Sequence, residues 1–110
     1  MNMVALVGNV SSEVELTETP KGKKIARFKI AVARIGAEEA DFFQVLAFER
    51  QAELVHTYLQ VGRRISVEGR LRHTSWRAED NTVHSRVEII ASRIEFLGSR
   101  PSTIQPDTEE

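Results

Sequence analysis

The chain has 110 residues, a formal net charge of −1, no cysteine and no apolar run of membrane-spanning length. That length allows one folded core. The absence of thiols excludes disulfides, thiolate metal sites and cysteine nucleophiles, and fits a reducing compartment. The Met-Asn-Met start carries no basic segment followed by an apolar run, so neither a signal peptide nor a membrane span is expected, and a cytoplasmic location is.

Met3 to Val10 is a mostly apolar strand, and Gly8-Asn9 within it predicts a bulge or sharp bend of the kind small barrels use at corners. Glu13 to Thr19 sets Val14 and Leu16 against Glu13, Glu15 and Thr17, the pattern of a half-buried strand. Pro20-Lys21-Gly22 then makes a turn, with proline presetting φ and glycine supplying a positive one. In Lys23 to Arg34, Phe28, Ile30 and Val32 form the buried face, while Arg27 and Lys29 share the other with Ala31 and Ala33.

After a connector holding Gly36, Glu38 and Glu39, Phe42 to Phe48 is rich in β-formers. Phe42, Gln44, Leu46 and Phe48 face away from Phe43, Val45 and Ala47. From Arg50 to Gln60 the period lengthens, and Ala52, Leu54, Val55, Tyr58 and Leu59 predict one apolar face of a helix that Gly62 ends. Alternation returns from Arg63 to Arg77, with Ile65, Val67, Gly69 and Leu71 against Ser66, Glu68, Arg70, Arg72, Thr74 and Trp76. The turn Ala78 to Thr82 joins this strand to Val83–Phe96 as a hairpin. The last strand is expected to bend near Ala91-Ser92 and to keep Ile94 and Phe96 in the core. Residues 99–110, with two prolines and a terminal acidic pair, predict a disordered tail after a single domain at 1–98.

Strands with a single helix between the third and fourth long ones are the element order of an OB-fold: all-β with one helix, a five-stranded Greek-key barrel whose face and loops hold oligonucleotides or oligosaccharides. Fold alone does not decide function. The near-neutral charge argues against nucleic acid, but its distribution does not. Three acids lie in the last four residues, whereas Lys21, Lys23, Lys24, Arg27 and Lys29 cluster early and Arg63, Arg64, Arg70, Arg72 and Arg77 cluster late.

Particular residues carry a resemblance. Val7-Gly8-Asn9-Val10, Ala26 through Val32, Asp41 through Phe48, Ala52-Glu53, Tyr58-Leu59, Gly62, Val67 through Leu71, Trp76 and Phe96-Leu97-Gly98 stand in the order and spacing of the bacterial single-stranded DNA-binding proteins, the SSB family. The chain resembles that family over residues 3 to 97. The resemblance implies a bacterial, nucleoid-associated protein that coats single-stranded DNA with little sequence preference during replication, recombination or repair. It implies base stacking at Phe42, where the family commonly has tryptophan, at Phe48 and at Trp76. It also implies a homotetramer built from dimers, with the dimer as the alternative unit and Phe43 at a subunit contact. The family's further tryptophan, after the second long strand, has no counterpart here. Nor does Pro106-Asp107-Thr108-Glu109-Glu110 carry the apolar tip that recruits replication and repair proteins.

Read from the residues, Phe42 and Phe48 fit a core role as well as an exposed one, because they share parity with Leu46. Trp76 is in line with Arg70, Arg72 and Thr74, which favours exposure, the alternative being an indole that covers a barrel end. Arg27, Lys29, Arg34, Arg50, Arg64, Arg70, Arg72, Arg77 and Arg86 are phosphate candidates, each of which reads equally as a solvated charge beside a carboxylate. Catalysis finds little support. His56 lies on the predicted helix and His73 and His84 lie on the last hairpin, where they could approach each other, but two ligands make a poor zinc site. Neither a metal nor another cofactor is expected. A second function class is a protein-bridging OB module of a replication-restart or DNA-uptake assembly, with DNA binding secondary.

Overall fold

A computed structural model describes residues 1–98; the predicted disordered tail, 99–110, lies outside them. The order is β1 (Val4–Val10), β2 (Glu15–Glu18), β3 (Lys24–Ala33), β4 (Ala40–Phe48), α1 (Glu49–Tyr58), β5 (Arg64–Arg77) and β6 (Val83–Phe96). The strands make a single six-stranded sheet in the order β1-β5-β6-β4-β3-β2, and β1 also pairs with β3. That extra pairing closes a ring of five strands, with β2 continuing the sheet beyond β3. All pairings are antiparallel except β4 with β6. The helix stands between β4 and β5, as expected of an OB-fold. No helix among the described residues is long and apolar enough to cross a membrane.

Alternation decides what fills the ring. Ala26, Phe28 and Ile30 of β3 lie opposite Ala47, Val45 and Phe43 of β4. All but the half-buried Phe43 are fully enclosed, together with Val10, Ile65, Val67 and Ile89. Val32 and Ile94 pack against this core only in part. Phe96, expected inside, shares the inward parity, since it lies opposite Ile65. It nevertheless sits exposed at the strand's end, with the Arg63 guanidinium 5.1 Å from the ring centre.

A helix of 10 residues is marginal alone in water, so α1 is held by what it buries. Ala52, Val55 and Leu59 enter the core, and burial of the valine and leucine side chains contributes about 1.5–3 kcal/mol each. Leu54 and Tyr58, expected on that face, are exposed, Tyr58 by 62%. The helix ends at Tyr58, and the Leu59 N–H bonds the Val55 carbonyl in an extended cap. Gly62, at φ 95°, belongs to the turn that follows. At its other end Glu49 has φ 57°, in the left-handed region where a side chain costs about 1–2 kcal/mol. Glu49→Gly is therefore expected to raise stability by about 1 kcal/mol. A urea midpoint at or below that of the unsubstituted chain would show that no strain is stored there.

The predicted irregularity in β1 moves elsewhere. β1 runs on unbroken, changing partner from β5 to β3 at Asn9. A Cβ on Gly8 would stand 2.5 Å from the Ala31 carbonyl oxygen, so this glycine admits the backbone that closes the ring. The register shift lies between Glu68 and Gly69 of β5, where the pairing skips Ser92 of β6. The Ser92 hydroxyl donates to the Glu68 carbonyl at 3.0 Å. This is the bend expected near Ala91-Ser92.

Candidate nucleic-acid interface

Register assembles the outward face of β3, β4, β6 and β5 row by row. One row crosses the sheet as Arg27, Leu46, Ile90 and Arg70, and the next as Lys29, Gln44, Glu88 and Arg72. Beyond them on the same face lie Ala31 opposite Phe42, Thr74 opposite Arg86, and Trp76 opposite His84. Leu46 and Ile90 are buried between the flanking cations as an apolar floor. Glu88 is the one carboxylate within these rows; Glu68 and Glu95 share the outward parity of β5 and β6 further along those strands, and Glu15 on β2, opposite Arg27, bounds the face on its other side. The near-neutral chain thus carries a cationic track on one surface.

Phe42 stands out of this face with 63% of its surface exposed and only Ala31 opposite. Trp76 is 44% exposed on the hairpin that β5 and β6 extend beyond the barrel. Its indole lies nearly parallel to the His84 imidazole, at 21° and with ring centres 5.7 Å apart, and the Arg86 guanidinium is 5.2 Å from the indole centre. His84 is held in turn. The Thr82 hydroxyl donates to Asp80 Oδ1 at 2.6 Å, so its oxygen accepts from His84 Nε2 at 2.9 Å. The hydrogen bonds from Thr82 hold the Asp80 carboxyl below its ordinary range. An aromatic surface beside guanidinium groups offers any base a π face and its phosphate a counter-charge.

Other candidates lie elsewhere. Phe48 shares the parity of Phe42 but is half-buried at the head of α1, with the Lys23 ammonium 5.5 Å from its ring centre. Arg34 follows β3, where its Nε donates to Asp41 Oδ1 at 3.0 Å, an interaction that raises the guanidinium pKa further. Arg50 is exposed on α1. Arg64 and Trp76 lie toward opposite ends of the 14-residue β5. Arg77, opposite Val83, lies on the other side of the hairpin and turns back to donate to the Asn81 carbonyl at 3.2 Å. His73 lies opposite Val87, on the side of the hairpin away from His84, so the two imidazoles do not meet.

Sequence reasoning passed over two residues of this face. His84 reads in sequence as a possible metal ligand, although its position across a five-residue turn from Trp76 carries the signal for a cross-strand ring pair. Glu88 reads as a surface acid in sequence, yet it is 1% exposed between Arg72 and Arg86.

The profile of the single-strand binding protein family matches residues 1–97. A single-stranded DNA-binding protein of Treponema pallidum is 36% identical over 105 residues, covering 90% of this chain and 59% of that protein. One from Thermotoga maritima is 31% identical over 116 residues, covering 99% of this chain and 82% of that protein. Among solved structures, the Plasmodium falciparum SSB in complex with single-stranded DNA superposes with a TM-score of 0.78 at 26% identity, covering 89% of this chain and 96% of that one.

Proposed function

Because the chain belongs to the single-strand binding protein family, we infer that it binds and coats single-stranded DNA with little sequence preference, protecting it while the duplex is open. The observation that carries this reading is the single face joining Phe42 and Trp76 to Arg27, Lys29, Arg70, Arg72 and Arg86. Its mechanism is stoichiometric. Bases stack on exposed rings, phosphates lie along the cations, and no bond is made or broken. Phe48 and Arg34 would join this track once a strand displaces Lys23 and Asp41; Arg50, Arg64 and Arg77 would act only on a strand that wraps beyond it. Each phosphate neutralised releases counterion, so log affinity should fall with log salt by roughly 0.7 per contact.

Titrating the Trp76 fluorescence with a long oligo(dT) at two salt concentrations tests the reading. Strong, saturable, salt-sensitive quenching is expected. An indole unchanged by DNA, with no binding detected by labelled oligonucleotide, would leave the fold standing and turn the assignment to the protein-bridging module. His84→Ala is expected to weaken binding by about 1 kcal/mol, the lower end of the range for a stacked ring. His84→Phe should retain most of the affinity, and equal losses in the two variants would remove stacking as the role of this ring.

Association into a homotetramer built from dimers belongs to the same reading. Phe43 is half-buried in the isolated chain, and Val7 on β1 and Met3 just before it expose apolar surface, which supports contact with further subunits. Light scattering that returned a monomer at micromolar concentration would remove this part alone.

A further inference from the structure

We propose that Glu88 is a positioning residue, which holds the guanidinium groups of Arg72 and Arg86 in place from beneath the face for the phosphates and bases of a bound strand. The inference rests on the single-stranded DNA reading above and adds a residue that itself touches no nucleic acid.

Glu88 sits near the middle of the face, beside Gln44 on β4 and Arg72 on β5. It is the one fully buried charged residue among those described. Its Oε1 accepts from Arg72 Nη2 at 3.0 Å. Oε2 lies 3.2 Å from Arg86 Nε without an aligned hydrogen bond, so the second oxygen is paired by charge alone. A carboxylate removed from water is costly unless compensated. A guanidinium that swings away therefore leaves one buried oxygen of Glu88 without its partner.

The two arginines stay about half exposed. A guanidinium has five N–H donors, and the contacts to Glu88 leave most of them free for a phosphate. Arg86 also lies over Trp76, whose other close ring is His84. One buried carboxylate thus ties two cations and an indole into a preformed array. The order of these side chains is set before DNA arrives, so less must be lost on binding.

The sign of the effect separates this role from simple electrostatics. Glu88→Gln makes the face more positive by one charge. If charge alone governed binding, the variant would bind DNA more tightly and with a steeper salt dependence. Positioning requires the opposite, because the freed arginines must be reordered at each binding event.

The test compares the unsubstituted chain with E88Q on labelled oligo(dT) across a salt series, with thermal melting alongside. The expected result is on the order of ten-fold weaker binding, as two ordered side chains are released. The salt slope should become shallower by about 0.7 for each arginine withdrawn from a phosphate, at an unchanged or raised melting temperature. Equal or tighter binding with an unchanged or steeper slope overturns the inference and leaves the DNA reading intact. Absence of binding by the unsubstituted chain overturns the DNA reading and the inference with it. Should E88Q fail to fold, Glu88→Leu decides, because an apolar side chain in place of a buried ion is often neutral or stabilising. It should show the same loss, and unsubstituted-like affinity in it overturns the inference. Failure of both variants to fold makes Glu88 a requirement of folding and overturns positioning.

Discussion

Trp76→Ala is expected to weaken binding to single-stranded DNA by about 1–3 kcal/mol, a loss of roughly 5- to 150-fold. Three features set the size of that effect. The indole is the largest side chain on the proposed binding face, half of it is open to solvent, and it is the platform on which His84 and Arg86 rest. Removing it takes away a stacking surface and leaves Arg86 free to turn. The fold should barely register the change, because β5 and β6 project beyond the core here and Arg77, Val83 and His84 are all exposed. The measurement is anisotropy of labelled oligo(dT), with thermal melting and light scattering as controls. Undiminished affinity at unchanged oligomeric state would remove Trp76 from the site. Phe42→Ala is expected to lose a comparable amount for the same reason.

Gly69→Ala is expected to be the most damaging small substitution for stability, at about 3 kcal/mol or more, the upper end of what overpacking costs. A Cβ there would overlap the Ile90 carbonyl oxygen and lie 2.9 Å from its carbon and 3.1 Å from the Ala91 Cα. All three are backbone atoms, so no rotamer change relieves the contact, and β5 and β6 would have to part where their register shifts. In a domain whose total stability is about 5–15 kcal/mol, that is a large share. The melting temperature should fall by more than about 10 °C, given about 4–8 °C per kcal/mol at this size. A fall of less than about 4 °C, corresponding to under 1 kcal/mol, would mean that the strands can separate there at little cost.

Much of the architecture was legible because strand and helix periods are local. The alternation of Phe28, Ile30 and Val32 marks the inward face of β3 and the change of period after Phe48 marks the helix, whereas the alternation in β4 leaves open which of its two faces is buried. Where periodicity misled, geometry explains it. Leu54 and Tyr58 keep helical spacing but fall outside the narrow strip of α1 that meets the barrel. Phe96 keeps strand parity but stands where the barrel ends. Gly8-Asn9 predicts a bend, yet the bend falls at Gly69, because sequence does not say which other strand comes close to a glycine. At Gly8 the approach closes the ring, and at Gly69 it shifts the register.

Element order, the parity of each strand, the family resemblance over residues 3 to 97 and the rings and cations to consider are all legible in the chain alone. Which of them share a surface follows from the pairing of distant strands. Arg27 meets Leu46, Leu46 meets Ile90 and Ile90 meets Arg70 through three separate strand pairings, while Arg77 is carried to the reverse side by one step of alternation. Arg72 and Glu88 are 16 residues apart in the chain and 3.0 Å apart in space. Alternation depends on nearest neighbours and is written in any short stretch of chain. Register depends on which distant strand is paired, and at what offset, and a one-residue slip would turn every side chain of a strand to the other face.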